Sequence, residues 1–415
     1  MRRRLWGLVL MWVASTVTPV QAQLRLPTLP VPGLPLQAVP GALNPLDARS
    51  VDRLSDLRRL EIGRLIRTNR RLVEADPRGE PIVRNEILAL SLTETAALRA
   101  RSAGFSVDRE QTMAGTDIRL TVLKAPSGMS TKKALSELRS LDPTGTYDFN
   151  HIYTGGGALL SDVPAVSPTP PAAARGQTAP RVGLLDTGID TTHPAFRNSI
   201  IHSWGCGNTP VPSAHGTAVA SLLIAHAGAD IYAADVYCGL PTGGAVDAIV
   251  GALGWMMQEQ VAVINVSLVG PRNILLERIV GALVARGYIV VAAVGNDGPA
   301  SPPLYPSAYA NVVGVTAVDS HRRVLIEAVR GPQVMFAASG ADMTAASIDH
   351  AAAKVRGTSF AAPIVAALLA NGLSTPDRAA AAAAIDALAN QAIDLGPPGR
   401  DLTYGFGLVG AAPAQ

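Results

Sequence analysis

Residues 262–294 read AVINVSLVGPRNILLERIVGALVARGYIVVAAV. The two ends, Ala262 to Leu268 and Ile289 to Val294, are short and almost wholly apolar, as strands covered on both faces are. Between them, Asn273 to Arg286 has a longer helical pattern. The alternation continues on both sides. Val182 to Leu185, Ile231 to Val236 and Val312 to Val318 read as further strands, and His215 to Ala227, Gly244 to Gln258 and Ser359 to Asn371 as further helices. Buried strands alternating with helices predict an α/β fold, a mostly parallel sheet flanked by helices. In such sheets functional groups gather at the carboxyl ends of the strands.

Chemistry-bearing residues sit at those ends. Asp186 follows the strand Val182-Gly183-Leu184-Leu185 directly and precedes Thr187-Gly188. A short acid there can orient a histidine, although Asp-Gly pairs also end strands as simple turns. His215 opens His215-Gly216-Thr217-Ala218 at a helix entrance, where an imidazole could take a serine proton while a carboxylate holds its other nitrogen. His193, His202, His226, His321 and His350 lack that setting and read as structural or surface residues. Ser359 stands between Gly357-Thr358 and Phe360-Ala361-Ala362-Pro363. The unpaired amides of a first helical turn would face the same space as its hydroxyl, so the Ser359 N–H can donate to a developing oxyanion. Serine also caps helices routinely, and only Asp186 and His215 together lift Ser359 above that reading.

Length and composition set the frame. The 415 residues, 48% hydrophobic, allow two folded domains. Residues 1–22 read as a removable signal peptide, with a retained signal anchor as the alternative: Arg2, Arg3 and Arg4 precede the apolar run Leu5 to Val13, and Val20-Gln21-Ala22 has a small-x-small cleavage pattern. Export, to the periplasm or fully out of the cell, bears on Cys206 and Cys238, which an oxidising compartment could join as one disulfide and which could equally remain buried thiols. The net charge of +3 is divided: residues 23–178 hold 20 Lys/Arg and 16 Asp/Glu, residues 179–415 hold 12 and 16. That distribution is no phosphate-tracking patch and speaks against a nucleic-acid partner. No stretch approaches the roughly 20 apolar residues that stable membrane insertion needs.

Residues 23–79 read as a Pro-rich tether followed by a basic helical extension, with Val51, Leu54, Leu65 and Leu72 near one side. Residues 80–153 read as a compact α+β unit in the order βαββαβ. Its strands are Ile82 to Leu92, a hairpin from Phe105 to Lys124 and Thr146 to Tyr153; its helices follow Thr93 and Ser130. The unit has no catalytic cluster, and its lone His151 reads as structural. Residues 154–180 open with Gly155-Gly156-Gly157, continue through Ser167-Pro168-Thr169-Pro170-Pro171 and read as a flexible linker exposed to proteolysis.

Four motifs together resemble the subtilisin-like serine peptidases, the subtilase family, over about residues 179–410. They are Asp186-Thr187-Gly188-Ile189-Asp190, His215-Gly216-Thr217, Ala293-Val294-Gly295-Asn296-Asp297-Gly298 and Gly357-Thr358-Ser359-Phe360-Ala361-Ala362-Pro363, in the family's order of Asp, His, Asn and Ser. The resemblance implies a peptidase domain over 181–410, with Asp186, His215 and Ser359 as the triad and Asn296 as the side-chain oxyanion donor. It also implies that Ser267, Leu268, Val269 and Gly270 lie beside the substrate, and that Tyr305-Pro306 borders a pocket. Val269 replaces a frequent glycine, which reshapes a pocket; Ala218 replaces a second histidine and Phe360 a methionine, and neither threatens the triad. The 80–153 unit resembles the family's propeptide, an intramolecular inhibitor and folding aid removed by self-cleavage somewhere in 154–180. Structural calcium is common in the family, but no compact acidic loop here supplies its ligands, so no metal or cofactor is assigned. A catalytically silent peptide-binding module and an acyl esterase are the competing readings. The chain has no Gly-x-Ser-x-Gly elbow of the lipase kind.

Overall fold

In the computed structural model the described residues are 48–113, 115–155, 158–163 and 179–410. The signal segment, the Pro-rich tether and most of the 154–180 linker lie outside them. No helix among the described residues is long and apolar enough to cross a membrane.

The N-terminal part runs α1 (Ala48–Thr68), β1 (Val73–Ala75), β2 (Pro81–Leu90), α2 (Glu94–Ser102), β3 (Ser106–Thr112), β4 (Arg119–Lys124), α3 (Thr131–Leu141) and β5 (Thr146–Gly155). The helix starts are set by side chains that replace missing turn partners: Thr93 accepts from the Ala96 N–H and Ser130 from the Lys133 N–H. The strands form an antiparallel sheet in the order β3-β4-β2-β5. β1 adds to β2, so the sheet begins ahead of residue 80. β6 (Ala158–Val163) then lies inside the stretch read as linker. Its apolar residues follow a glycine run that masks them in sequence, and a strand there needs a partner from far along the chain.

That partner belongs to the second part, which runs β7 (Arg181–Asp186), β8 (Ile201–Trp204), α4 (Ala214–Ala227), β9 (Asp230–Asp235), β10 (Gly244–Ala245), α5 (Val246–Gln258), β11 (Val263–Val266), β12 (Leu268–Val269), α6 (Ile274–Ala285), β13 (Ile289–Ala293), β14 (Val313–Val318), β15 (Val334–Ser339), β16 (Met343–Ala346), β17 (Ala352–Arg356), α7 (Thr358–Ala370) and α8 (Arg378–Gln391). The central sheet has the order β15-β14-β13-β11-β7-β9-β8, and its neighbouring strands are parallel. Side chains alternate across it. Val182 and Leu184 of β7 join α4 and α7 through Val219 and Val365, whereas Leu185 joins α5 and α6 through Leu253 and Leu276. Gly183 faces the second pair, and a Cβ there would lie 2.6 Å from the Met256 sulfur, so the glycine lets α5 sit close. The parallel sheet with helices on both faces is the expected fold class.

The same period-two logic joins the two parts. Ile87 and Ala89 of β2 pack with Ala96, Ala100, Leu135 and Leu138 under α2 and α3. Leu88, between them, packs with Ile249, Leu253 and Ile279 of α5 and α6. The N-terminal sheet is therefore apolar on both faces. Its β5 also serves two helix starts that carry unpaired amides. Asp148 accepts from the Ile274 N–H at 2.9 Å, and Asn150 from the Asp247 N–H at 3.2 Å. Arg109 bridges Glu86 of its own sheet and Asp247 of α5, at 2.7 and 2.6 Å.

Candidate active site

Asp186 ends β7 and is fully buried. Its Oδ1 accepts from the Thr187 N–H at 2.7 Å and the Thr187 hydroxyl at 3.1 Å. The carboxylate holds His215 Nδ1 at 2.8 and 3.0 Å. Because Nδ1 meets an acceptor, it carries the ring proton, and Nε2 presents its lone pair. Nε2 makes no hydrogen bond among the described residues. Thr187 also accepts from the Gly216 N–H at 2.9 Å, tying the end of β7 to the first turn of α4. A Cβ on Gly216 would stand 2.4 Å from the Thr187 carbonyl, so this junction admits glycine alone. Burial disfavours the imidazolium, yet the adjacent Asp186 charge and hydrogen bond outweigh it and leave His215 above the ordinary histidine value.

Ser359 is the second residue of α7, a helix buried at 12 of its 13 positions and so held rigidly on all sides. Pro363 has no N–H to give the carbonyl four residues earlier, which is that of Ser359. The Ser267 hydroxyl fills the gap, donating to the Ser359 carbonyl at 3.0 Å, and Asn265 Nδ2 donates in turn to Ser267 at 2.9 Å. The Ser359 hydroxyl itself donates to the Ser267 carbonyl at 3.3 Å.

Asn296 follows β13. Its Oδ1 accepts from the Thr358 N–H at 3.0 Å, which fixes which end of the amide is oxygen. Nδ2 is buried and makes no hydrogen bond among the described residues. A donor without an acceptor, next to a serine at a helix N-terminus, is equipped to receive a developing negative charge. Thr358 completes the loop by accepting from the Gly295 N–H at 3.2 Å.

Across these groups lies the end of β5. Ile152 and Tyr153 pair antiparallel with Ala245 and Gly244 of β10, while Thr154 and Gly155 pair antiparallel with Val269 and Leu268 of β12. Gly155 sits against the imidazole: a Cβ built on it would be 3.6 Å from His215 Cε1 and Nε2 and 3.7 Å from the Tyr237 hydroxyl. Beyond residues 156–157, β6 pairs antiparallel with β17, with Ala158 opposite Arg356, three residues before Ser359. The chain thus enters beside His215 and leaves beside the serine helix.

Of the sequence-expected residues, Asp186 and His215 meet, and Ser359 and Asn296 flank one loop. Leu268, Val269 and Gly270 line the occupied groove, but Ser267 faces inward as a support for α7. Val269 joins a buried cluster with Val294, Leu304, Val329 and Val334. Cys206 and Cys238 form a disulfide that ties the segment after β8 to the one after β9. Sequence reasoning missed Thr187, Asn265, Thr358 and Tyr237. The signal for Asn265 was present: an amide inside an apolar strand must find a buried partner.

Comparison with known proteins assigns the second part of the chain to one family. Residues 177–407 match a family model described as the subtilase family. The chain is 32% identical over 247 residues to subtilisin BL of Lederbergia lenta, covering 56% of this chain and 90% of that protein. It is 31% identical over 168 residues to the minor extracellular protease Epr of Bacillus subtilis strain 168, of which it spans 26%. Its fold is like that of fervidolysin from Fervidobacterium pennivorans, a keratinolytic enzyme related to subtilisin, with a TM-score of 0.67 at 20% identity, over 81% of this chain and 61% of the other.

Proposed function

Since the chain belongs to the subtilase family of serine endopeptidases, we propose that it is an exported, self-processed peptidase working through Asp186, His215 and Ser359. The observation that supports this most directly is the Asp186–His215 pair, whose free Nε2 faces a groove already occupied by an added strand. In the mechanism, the Ser359 oxygen attacks the scissile carbonyl carbon while its proton passes to His215 Nε2. Asp186 keeps the ring in the required tautomer and stabilises the imidazolium. The oxyanion receives hydrogen bonds from Asn296 Nδ2 and the Ser359 N–H. His215 then returns the proton to the leaving amine as the C–N bond breaks, and water repeats the sequence on the acyl-enzyme. Labelling with a fluorophosphonate tests this: wild type should react at Ser359 and lose peptide hydrolysis, and an unlabelled but fully active enzyme would rule the nucleophile out.

The N-terminal domain is, on this reading, an intramolecular inhibitor. Its last strand pairs with β10 and β12 as far as Gly155, and β6 pairs with β17 from Ala158, which supports a cut between those two residues. Self-cleavage therefore falls within that stretch rather than deeper in the 154–180 segment. N-terminal sequencing of wild type beside Ser359→Ala checks it; identical processing of the two proteins would exclude self-cleavage. Export is supported by the arginine-led apolar N-terminus and by the Cys206–Cys238 disulfide, which an oxidising compartment maintains.

A further inference from the structure

We propose that the mature groove selects glycine-rich protein segments marked by a tyrosine, of the form Tyr-x-Gly followed by small residues, and that it reads the tyrosine through its hydroxyl. This rests on the peptidase reading above and deepens it. The segment now seated in the groove is the best available image of a substrate, because it pairs with β10 and β12 by main chain and leaves its side chains to the pockets.

Tyr153 is fully buried. Its ring lies against Gly270, where a Cβ would stand 2.7 to 2.8 Å from three ring carbons. That wall needs a residue without a side chain, and Gly270 has no left-handed backbone that would otherwise demand glycine. The phenol donates to the Pro271 carbonyl at 2.6 Å. Tyr309, at the same end, does not compete for that acceptor: its hydroxyl donates to the Asn273 carbonyl at 3.0 Å and accepts from the Asn273 N–H at 3.1 Å. Burial pushes the Tyr153 phenol well up, which keeps it a donor. A phenylalanine in this place fills the apolar walls but leaves the Pro271 carbonyl dry and unpaired.

Two residues further on the selection reverses. A methyl group on Gly155 would sit at ordinary contact distance from His215 and the Tyr237 hydroxyl, and in this proposal those two groups limit any longer side chain. Tyr237 is thus a specificity-determining residue that closes this position to anything beyond alanine. Val269 acts in the same sense, since its side chain and the valines and leucine around it fill apolar space beside β12 that a glycine there would leave open. Tyr237 is held by its neighbour Cys238, which is bonded to Cys206.

The test uses the secreted, self-processed wild-type enzyme and synthetic peptides copied from residues 148–162, with products identified by mass spectrometry. The parent peptide should be cut between the Gly155 and Ala158 equivalents. Replacing its tyrosine by phenylalanine should lower kcat/KM by about tenfold or more, the cost of one buried unpaired acceptor. Replacing the Gly155 equivalent by leucine should lower it further, and the Tyr237→Ala enzyme should recover the leucine peptide while gaining little on the parent. Equal rates for tyrosine and phenylalanine peptides, or for glycine and leucine peptides, would overturn the inference while casein hydrolysis by the same sample left the peptidase reading intact. Failure on casein, together with no fluorophosphonate labelling of Ser359, would overturn both.

Discussion

Two aspartate–histidine pairs with buried aspartates are built alike in this chain and differ in what the second ring nitrogen meets. In the first, Asp186 holds His215 Nδ1, and Nε2 is left open to the groove. In the second, Asp76 takes His151 Nε2 at 3.3 Å, and Asn273 Nδ2 donates to His151 Nδ1 at 3.0 Å, so both nitrogens are spent. The second pair joins the N-terminal sheet to the start of α6, since Asn273 also donates to the Phe149 carbonyl at 2.9 Å. An imidazole becomes a base when its environment orients one nitrogen and abandons the other. When both are satisfied, the same residues are mortar.

The largest effect that separates the pairs should come from Ser359→Ala, which is expected to lower peptide hydrolysis by on the order of 10⁴-fold or more, while His151→Asn leaves turnover of the processed enzyme unchanged. Steady-state assays on both variants decide it, and comparable losses would erase the distinction. Next in size, if Asn296 Nδ2 is the oxyanion donor proposed above, Asn296→Ala should reduce kcat by about 10²- to 10³-fold with little change in KM. A loss confined to KM would instead make Asn296 a binding residue.

The pH profile sharpens the contrast. His215 must be neutral to accept a proton, and its pKa is raised, so kcat/KM should fall about tenfold per unit on the acid side of a midpoint above the ordinary histidine value near 6.5. A midpoint below that value would contradict the Asp186 pairing. The second pair acts on stability. Burial alone would raise the Asp76 carboxyl, but bonds from His151 and the Glu80 and Arg78 amides hold it down to about 2, against an ordinary 3.8. A depressed carboxylate stabilises the fold above its unfolded value and loses that contribution as pH falls toward its folded one. In the unprocessed Ser359→Ala protein, urea unfolding should therefore lose roughly 2 kcal/mol between about pH 5 and pH 2 through this group, and Asp76→Asn should flatten that part of the curve. An unchanged slope would leave the pair without a stabilising role.

Much of this was legible in the residues themselves. Strands such as Val182 to Leu185 and Ile289 to Val294 declare themselves, because continuous apolar runs of that length have few other homes. The positions of Asp186 and Asn296 follow from where those runs end. Thr93 and Ser130 mark two helix starts by the same local logic. What stayed hidden depends on partners far along the chain. β6 exists through β17, nearly 200 residues away, and β10 is cut from the front of an expected helix because β5 offers it a partner. Ser267 looked like a groove residue; only the missing N–H of Pro363 explains why its hydroxyl turns to the Ser359 carbonyl. His151 could be read as structural, but the pair that makes it so draws on Asp76 and Asn273, on opposite sides of it in sequence.

The pairing of β6 with β17 has a consequence for timing. If the chain is cut between Gly155 and Ala158, neither new end is free: one remains bonded to β10 and β12, the other to β17. On the self-cleavage proposed above, the new amine would be kept close by the β6–β17 pairing, and resealing would compete with hydrolysis until β6 separates. Maturation in such a molecule is a ratchet with two teeth, the first reversible and set by chemistry, the second set by how quickly a short strand lets go.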